Sequence, residues 1–177
     1  MSPAIDTDVV VETDAWNALA ADGPAGDGPT GDGGLAALAG RCHAAAAAAL
    51  PALRGTACVL FADDDKLRAL NAQFRGVDKP TNVLSFPAGD PTSAPVEPAF
   101  LGDVALAAET CAREAGEKGV PVLDHAAHLI VHGLLHLVGY DHQTDDEATM
   151  METLETDILA GLGVAAPYGA PALEARP

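Results

Sequence analysis

The chain has 177 residues, a length that suits one domain with a hydrophobic core and leaves little room for two. Hydrophobic residues make up 49% of the chain, although aromatic residues make up only 4%. The formal net charge of −17 argues against a generic nucleic-acid-binding protein, because such proteins are basic. Four of the nine Lys and Arg residues nevertheless fall between positions 66 and 79. They form either a local basic strip on an acidic body or, for Lys66 and Arg68, the solvated face of a helix.

Membrane insertion and secretion are both disfavoured by the sequence. No run of eighteen apolar residues occurs, so a transmembrane helix is not expected. The N-terminal segment carries acids and lacks the basic start and apolar stretch of a signal peptide, so we expect a cytoplasmic protein. Cys42, Cys58 and Cys111 are far apart and form no CxxC pair, which predicts three reduced thiols and no cysteine ligation of a metal.

The first half of the chain alternates short apolar segments with helical patterns. In chain order it predicts a strand at 8–12, a flexible glycine-rich loop at 22–34, an alanine-rich helix at 35–53, a strand at 57–61 and a helix that begins at Asp63 or Asp64. In that helix, Leu67, Leu70 and Phe74 recur at intervals of three and four and are expected to face inward. The acidic run 63–65 is better explained by helix capping and the helix dipole than by a metal cluster.

The second half predicts a similar alternation. Its elements are a strand at 81–87, a proline-rich loop at 88–98, a strand at 101–107 running into a helix that ends at Lys118, a long apolar helix at 122–138, an amphipathic helix at 145–162 and a frayed tail at 164–177. Met150, Leu154 and Ile158 are expected to face inward from the amphipathic helix, with Met151 left open. This order predicts an α+β fold over residues 1–177, a single domain with a small mixed β-sheet and helices packed on it.

The segment HGLLHLVGYDH, from His132 to His142, carries most of the functional information. Residues four apart lie on the same face of a helix, so His132 and His136 can bind one metal ion. Gly139 permits the left-handed conformation that ends a helix, and the resulting turn can bring His142 to the same ion. This spacing, glycine included, is that of the metzincin zinc signature. Three neutral imidazoles favour one zinc ion per chain and leave a fourth position for water, which is typical of a catalytic site.

Other interpretations of these histidines are weaker. They could be ordinary polar residues at a helix end, but three in eleven residues at this spacing argue against it. His128, His132 and His136 also share one helical stripe, but they span about 12 Å of helix rise, which is too far for one ion. We therefore expect His128 to lie in the core or to orient a ligand, and the role of His125 stays open.

One departure from the protease signature bears on the reaction class. In that signature a glutamate follows the first histidine and acts as general base, whereas this chain has Gly133 at that position. A peptidase of this plan without its base is disfavoured. The sequence therefore indicates hydrolysis of a bond other than the peptide bond.

The motif HGLLHLVGYDH resembles the signature of the YbeY family, also called the rRNA maturation factor family. Segments 70–87 (LNAQFRGVDKPTNVLSFP) and 101–106 (LGDVAL) are similar to two further blocks of that family, and the acidic segment 145–155 follows the third histidine as it does there. The resemblance covers about residues 56–162 and is highly specific, because three motifs occur in the right order. The loop 22–34 looks like an insertion.

The resemblance implies a function as well as a fold. It implies a zinc-dependent endoribonuclease that is specific for single strands, processes the 3′ end of small-subunit rRNA and takes part in ribosome quality control. The expected partners are RNA and the small ribosomal subunit, with neither DNA nor a membrane. By the same resemblance, His132, His136 and His142 correspond to the zinc ligands and Arg75 to a functionally required arginine, in a fold that carries the zinc site in a cleft.

Several further residues are candidates for supporting roles. Arg75 offers a planar, permanently charged fork for a phosphate, although a surface salt bridge at a helix end would explain it too. Lys79 and Ser85 could contact the RNA backbone or be ordinary turn and strand residues, and Asp103 and Asp141 could orient the histidines. The main alternative function is a ribosome-assembly factor with a structural zinc, which the overall acidity favours. A zincin-type metallopeptidase is the second alternative.

Overall fold

The computed structural model describes residues 4–21, 34–89 and 99–168. These residues form, in chain order, β1 (Asp6–Val11), α1 (Asp14–Ala21), α2 (Gly34–Ala49), a short 3₁₀ turn (Pro51–Leu53), β2 (Thr56–Ala62), α3 (Asp64–Arg75), β3 (Val83–Pro87), β4 (Phe100–Ala107), α4 (Ala108–Lys118), α5 (Val122–Leu137) and α6 (Asp145–Gly161). The predicted loop 22–34 lies outside the described residues except for Gly34, and so does most of the predicted loop 88–98.

The strands form one mixed sheet in the order β1-β2-β4-β3. The pairs β1-β2 and β2-β4 are parallel, and β3 is antiparallel to β4 and forms an edge of the sheet. Parallel neighbours need crossover connections, and helices supply them here. The α+β fold class and the mixed sheet predicted from the sequence are therefore confirmed.

The two faces of the sheet carry unequal layers. On one face, Val104 and Leu106 of β4 belong to the large core, to which α1, α2, α4, α5 and α6 all contribute. On the other face, Ala105 and Ala107 belong to a small cluster with Leu67 of α3. The long apolar helix α5 is thus packed against the sheet and against other helices, which explains why twelve of its sixteen residues are buried.

The predicted elements occur at nearly the predicted positions, with a few corrections. Helix α1 was not predicted; Trp16 anchors it, with no exposed surface and an Nε1–H that donates to the Ala62 carbonyl at 2.8 Å. Phe74 is 59% exposed and packs edge-on against Phe86 instead of facing the core. Asp63 is the N-cap of α3 and accepts from the Lys66 amide, as capping predicts.

Helix α6 packs as predicted except at Met150, since Leu154 also lies against the core. Met150 is 59% exposed and Met151 is buried, so the prediction for Met150 is wrong, while Ile158 faces inward as expected. The tail is also better packed than predicted as far as it is described, because Val164 is buried against the core and the Tyr168 hydroxyl is hydrogen-bonded. The remainder of the predicted frayed tail, 169–177, lies outside the described residues.

Two of the remaining expectations concern cysteines and membranes. Cys42, Cys58 and Cys111 are free thiols; the first and last are buried and Cys58 is partly buried. Among the helices of the described segments, none is long and apolar enough to cross a membrane.

Candidate metal centre

The C-terminal end of α5 and the turn after it bring three histidines together. His132 and His136 lie one turn apart on the helix. The helix ends at Leu137, and Gly139 adopts a φ of 95°, a conformation that glycine takes easily. The Tyr140 amide then donates to the Leu135 carbonyl at 3.1 Å, which closes the turn. The chain reverses there and carries His142 back over the helix end.

The three imidazoles can offer their nitrogens to one point. One ligand nitrogen from each of His132, His136 and His142 lies within 4.8 Å of the other two. The Nε2 atoms of His132 and His136 are 3.0 Å apart. Two nitrogens bound to a tetrahedral zinc at about 2.0–2.1 Å are about 3.3–3.4 Å apart, so this pair is close to the geometry that zinc requires. His142 is exposed, which leaves the group open to solvent on one side.

Glu155 of α6 holds His132 from the other side of the ring. Its Oε1 lies 2.5 Å from His132 Nδ1, and its Oε2 lies 3.1 Å from His128 Nε2 and accepts from the Tyr168 hydroxyl. A carboxylate on Nδ1 fixes the tautomer in which Nδ1 carries the proton and Nε2 has a free lone pair. Glu155 therefore orients His132 with its Nε2 towards His136.

The charge of Glu155 is maintained although the side chain has no exposed surface. Burial alone would raise the pKa of Glu155, but hydrogen bonds with His128, His132 and Tyr168 outweigh it and lower the pKa to about 2. Burial also raises the pKa of Tyr168, and its bond to Glu155 adds to this effect, so the phenol stays protonated and donates. Burial lowers the pKa of His136, and the neighbouring His132 and His142 lower it further. A neutral imidazole is the form that binds a metal.

A second group of possible ligands shares His132. It consists of His128, His132 and Glu155, whose ligand atoms also lie within 4.8 Å of one another. Its carboxylate is fully buried and already accepts from two histidines and a tyrosine, so it has no open position for water or substrate. The open group with His136 and His142 is therefore the better candidate for a metal site, and Glu155 of the closed group orients one of its histidines.

Glu155 was not identified from the sequence, although a signal for it exists. The buried positions of α6 are Met151, Glu155, Ile158 and Leu159, at helical intervals of four, three and one. An acid on the buried stripe of an amphipathic helix must be paired, because an isolated buried carboxylate is very costly. The inward positions predicted for α6 did not include Glu155, so this signal was missed.

Gly133 lies between the metal site and the sheet. A Cβ at this position would lie 2.6 Å from Val104 Cγ1 and 3.1 Å from Ser85 Oγ. The Ser85 hydroxyl donates to the Gly133 carbonyl at 3.0 Å, and the side chain is buried. The position after the first histidine therefore faces the sheet at close range and has no room for a glutamate. Of the two alternatives for Ser85, the structure favours the ordinary strand residue, because its hydroxyl joins β3 to α5.

The other sequence candidates are more scattered. Asp103 is exposed and shares a face of β4 with Ala105, on the side of the sheet opposite α5. It lies beside Cys58, so it does not orient the histidines as predicted. Asp141 is closer to its predicted role, since its Oδ1 accepts from the His142 amide at 2.8 Å and steadies the turn, although it touches no imidazole nitrogen in the described structure.

The basic strip is partly neutralised. Arg68 forms a bidentate ion pair with Asp78, with 2.7 Å between Nε and Oδ1. The Nζ atom of Lys66 lies 3.9 Å from Oε2 of Glu12. Arg75 and Lys79 are exposed, and within the described segments neither forms an ion pair. Arg75 is the last residue of α3 and follows Phe74, which packs against Phe86 of the edge strand β3, so Arg75 lies beside this edge of the sheet.

Comparison with known proteins gives a consistent result. The family model for endoribonuclease YbeY matches residues 41–163. A protein of Chelativorans sp. (strain BNC1) named endoribonuclease YbeY is 48% identical over 168 residues, covering 94% of this chain and 95% of the relative. A protein of the same name from Rhodopseudomonas palustris (strain BisB5) is 46% identical over 170 residues, covering 92% and 80%.

The fold also occurs in a solved structure. The solution structure of TM1509 from Thermotoga maritima aligns with a TM-score of 0.50 and 17% identity, covering 96% of this chain and 99% of that one. At this identity the likeness supports the fold alone. The family match and the identities to relatives along most of the chain show that this chain belongs to the endoribonuclease YbeY family.

Proposed function

We propose that this chain is a zinc-dependent, single-strand-specific endoribonuclease that acts in the cytoplasm on the 3′ end of small-subunit rRNA and in ribosome quality control. The observation that carries the proposal is the group formed by His132, His136 and His142, whose ligand nitrogens lie within 4.8 Å of one another and which is open on the His142 side. The relatives' name supports the RNA substrate, and the ribosomal role follows from the family resemblance.

The donor set suits zinc. It consists of three imidazoles, with Glu155 fixing the tautomer of His132 and with no cysteine among the ligands. When bound, zinc supplies Lewis-acid activation of a water molecule and positive charge for the phosphodiester. This activation makes a separate carboxylate base less essential, which fits a site where Gly133 replaces the protease glutamate.

The chain's own residues supply the rest of the site. Glu155 orients His132, the turn at Gly139 presents His142, and the exposed side of the group admits the RNA strand. We assign Arg75 to the phosphate, because its guanidinium is exposed and, in the described residues, free of any ion pair. A planar fork can bind two phosphate oxygens at once and offset the charge that develops on them.

Peptide hydrolysis is a poor fit to this site. A general base after the first histidine would need space at position 133, and a Cβ there already lies 2.6 Å from Val104. A ribosome-assembly factor with a structural zinc is the remaining alternative, and the net charge of −17 favours it because an acidic protein binds RNA weakly on its own. A structural zinc is closed by a fourth protein ligand, whereas a catalytic one is open.

The experiment combines metal analysis with cleavage of defined RNA. Wild type should hold one zinc per chain and cut a single-stranded RNA, and it should leave a matched duplex intact. The H136A variant should lose both the zinc and the cleavage. H43Q serves as control, since His43 is buried between the Thr7 hydroxyl and the Leu53 carbonyl, away from the site, and should keep both.

Each failure has a distinct meaning. Stoichiometric zinc in H136A would show that the ligand assignment is wrong. Zinc-loaded wild type that binds ribosomal particles but cuts no RNA would favour the assembly factor.

A further inference from the structure

A cavity of about 570 Å³ lies next to the histidine group and has no assigned role. Its walls are the end of α4 with the following loop, the first turns of α5 and the tail after α6, and they include Lys118, Val120, Pro121, Val164 and Pro167. Its volume is in the range of pockets that bind small organic molecules, about 300–1,000 Å³. Its walls combine apolar side chains with a few polar groups, as such pockets do.

Two smaller cavities lie between this cavity and the histidine group. A cavity of about 130 Å³ shares Lys118, His125 and His128 with the large one and also reaches His132. A cavity of about 230 Å³ shares His132 and Tyr168 with the middle one and reaches His142. The three cavities therefore form a row of neighbours along α5, here called the path, from the exposed side of the histidine group to Lys118.

The spacing along this path suits a strand of nucleotides. His125 precedes His132 by seven residues, which is about 10 Å of helix rise. A stacked strand advances about 3.4 Å per nucleotide, so the large cavity lies about three nucleotides from the histidines.

We propose that this cavity is a nucleotide subsite of the endoribonuclease, which binds one base of the RNA upstream or downstream of the bond that is cut. The base packs against Val120, Pro121 and Val164, and the phosphate beside it faces Lys118. This inference rests on the proposed function, because it assigns the occupant from the RNA substrate of that site.

The polar groups along the path fit this occupant. Lys118 lines both the large and the middle cavity and is the only lysine or arginine among the described residues that line the three cavities, so it is the cation assigned to the phosphate. Asp124 lines the large cavity and offers an acceptor for a ribose hydroxyl or a base amino group. Tyr168 is 49% exposed between the middle cavity and the histidines, and base stacking on an aromatic ring is independent of sequence.

The walls of the subsite are fixed by hydrogen bonds. His125 Nε2 lies 2.7 Å from Glu114 Oε2, and Glu114 also accepts from the Asn82 amide at 3.0 Å, so α4, α5 and the start of β3 are joined behind the path. The Tyr168 hydroxyl is bound to Glu155, which places the tail as the opposite wall. A pocket held in this way is formed before the ligand arrives, which lowers the cost of binding.

The test uses nucleoside monophosphates on the full-length zinc-loaded protein. These probes lack an internucleotide bond, so their binding is measured without cleavage. In a titration followed by NMR, 5′-AMP and 5′-CMP should shift the amides of Gly119, Val120 and Val164. Inorganic phosphate alone should shift Gly119 at most.

Two pairs of variants test the assignment of the walls. A166W fills the cavity and A160W adds the same side chain to an exposed position of α6 that lines none of the three cavities. K118Q removes the charge at the junction, and R113Q removes one from an exposed position on the same helix. A166W removes the base contact and K118Q removes the phosphate contact, and each should weaken binding of 5′-AMP by about tenfold, whereas A160W and R113Q should change it less than twofold.

The outcomes separate this inference from the proposed function. Equal affinity in A166W and A160W, shifts confined to the histidines, or shifts at Val120 and Val164 from phosphate alone would each overturn the subsite. Retention of RNA cleavage in H136A would overturn the proposed function instead, and it would not change the measured binding of the mononucleotides.

Discussion

Replacing Gly133 by alanine tests whether α5 is packed against the sheet as closely as the structure shows. The added Cβ would lie 2.6 Å from Val104 Cγ1 and 3.1 Å from Ser85 Oγ, and real Cβ contacts are rarely this short. Either the Val104 side chain or the helix must move. If the helix moves, the hydrogen bond from Ser85 to the Gly133 carbonyl stretches and His132, the preceding residue, is displaced.

Opposing effects determine how much G133A changes the free energy of unfolding. Alanine is favoured over glycine inside a helix by about 1 kcal/mol. Overpacking a filled core costs about 1–3 kcal/mol, and a weakened buried hydrogen bond costs about 0.5–1.5 kcal/mol. We therefore expect G133A to lose about 2 kcal/mol in the free energy of unfolding, which corresponds to roughly 4–8 °C in Tm for a chain of this size.

The assay is urea unfolding with a matched control and a double variant. G116A on α4 is the control, because a Cβ at Gly116 would meet no atom within 4 Å, and it should gain up to about 1 kcal/mol. V104A removes the atoms that clash, so the double variant V104A/G133A should be more stable than the sum of the single changes by about 1 kcal/mol or more. A G133A protein as stable as G116A would refute the close packing and the steric exclusion of a glutamate that depends on it.

Two further predictions concern Arg75 and Cys58. R75A should cut single-stranded RNA at least about a hundredfold more slowly, because one preorganised charge stabilises a developing oxyanion by about 3–4 kcal/mol, while zinc content and Tm should stay near wild type. R113A is the matched control, and cleavage by R75A at the wild-type rate would show that Arg75 does not bind the phosphate. Burial raises the pKa of Cys58, and the adjacent Asp103 raises it further. D103N should therefore lower this pKa, increase the thiolate fraction at pH 8 and speed the labelling of Cys58 by iodoacetamide a fewfold. An unchanged labelling rate would contradict the placement of Asp103 beside the thiol.

The sequence predicts most of this fold, because hydrophobic periodicity and capping residues are local signals. The strands at Thr56–Ala62 and Phe100–Ala107 and the helix α5 occur within a residue or two of their expected limits. The grouping of the histidines is equally local, since a spacing of four on one helix and a glycine-assisted turn are enough to bring them together.

The supporting residues could not be predicted in the same way, because their roles depend on tertiary packing. Asp103 faces away from the histidines and Ser85 faces α5 as a result of strand register, which the strand sequences alone do not fix. Glu155 depends on the rotation of α6, where a shift of one position exchanges Met150 for Met151 in the core. The large cavity depends on the tail, which carries no periodic pattern.

Glu155 contacts two residues that are far apart in the sequence, one at the candidate metal site and one in the tail. The same carboxylate binds His132, which faces the metal site, and Tyr168, which docks the tail. If docking of the tail raises metal affinity by some factor, metal binding must favour docking of the tail by the same factor, because such coupling is reciprocal. The proposed metal site and the wall of the proposed nucleotide path therefore share one buried carboxylate, and we expect binding at one to change affinity at the other.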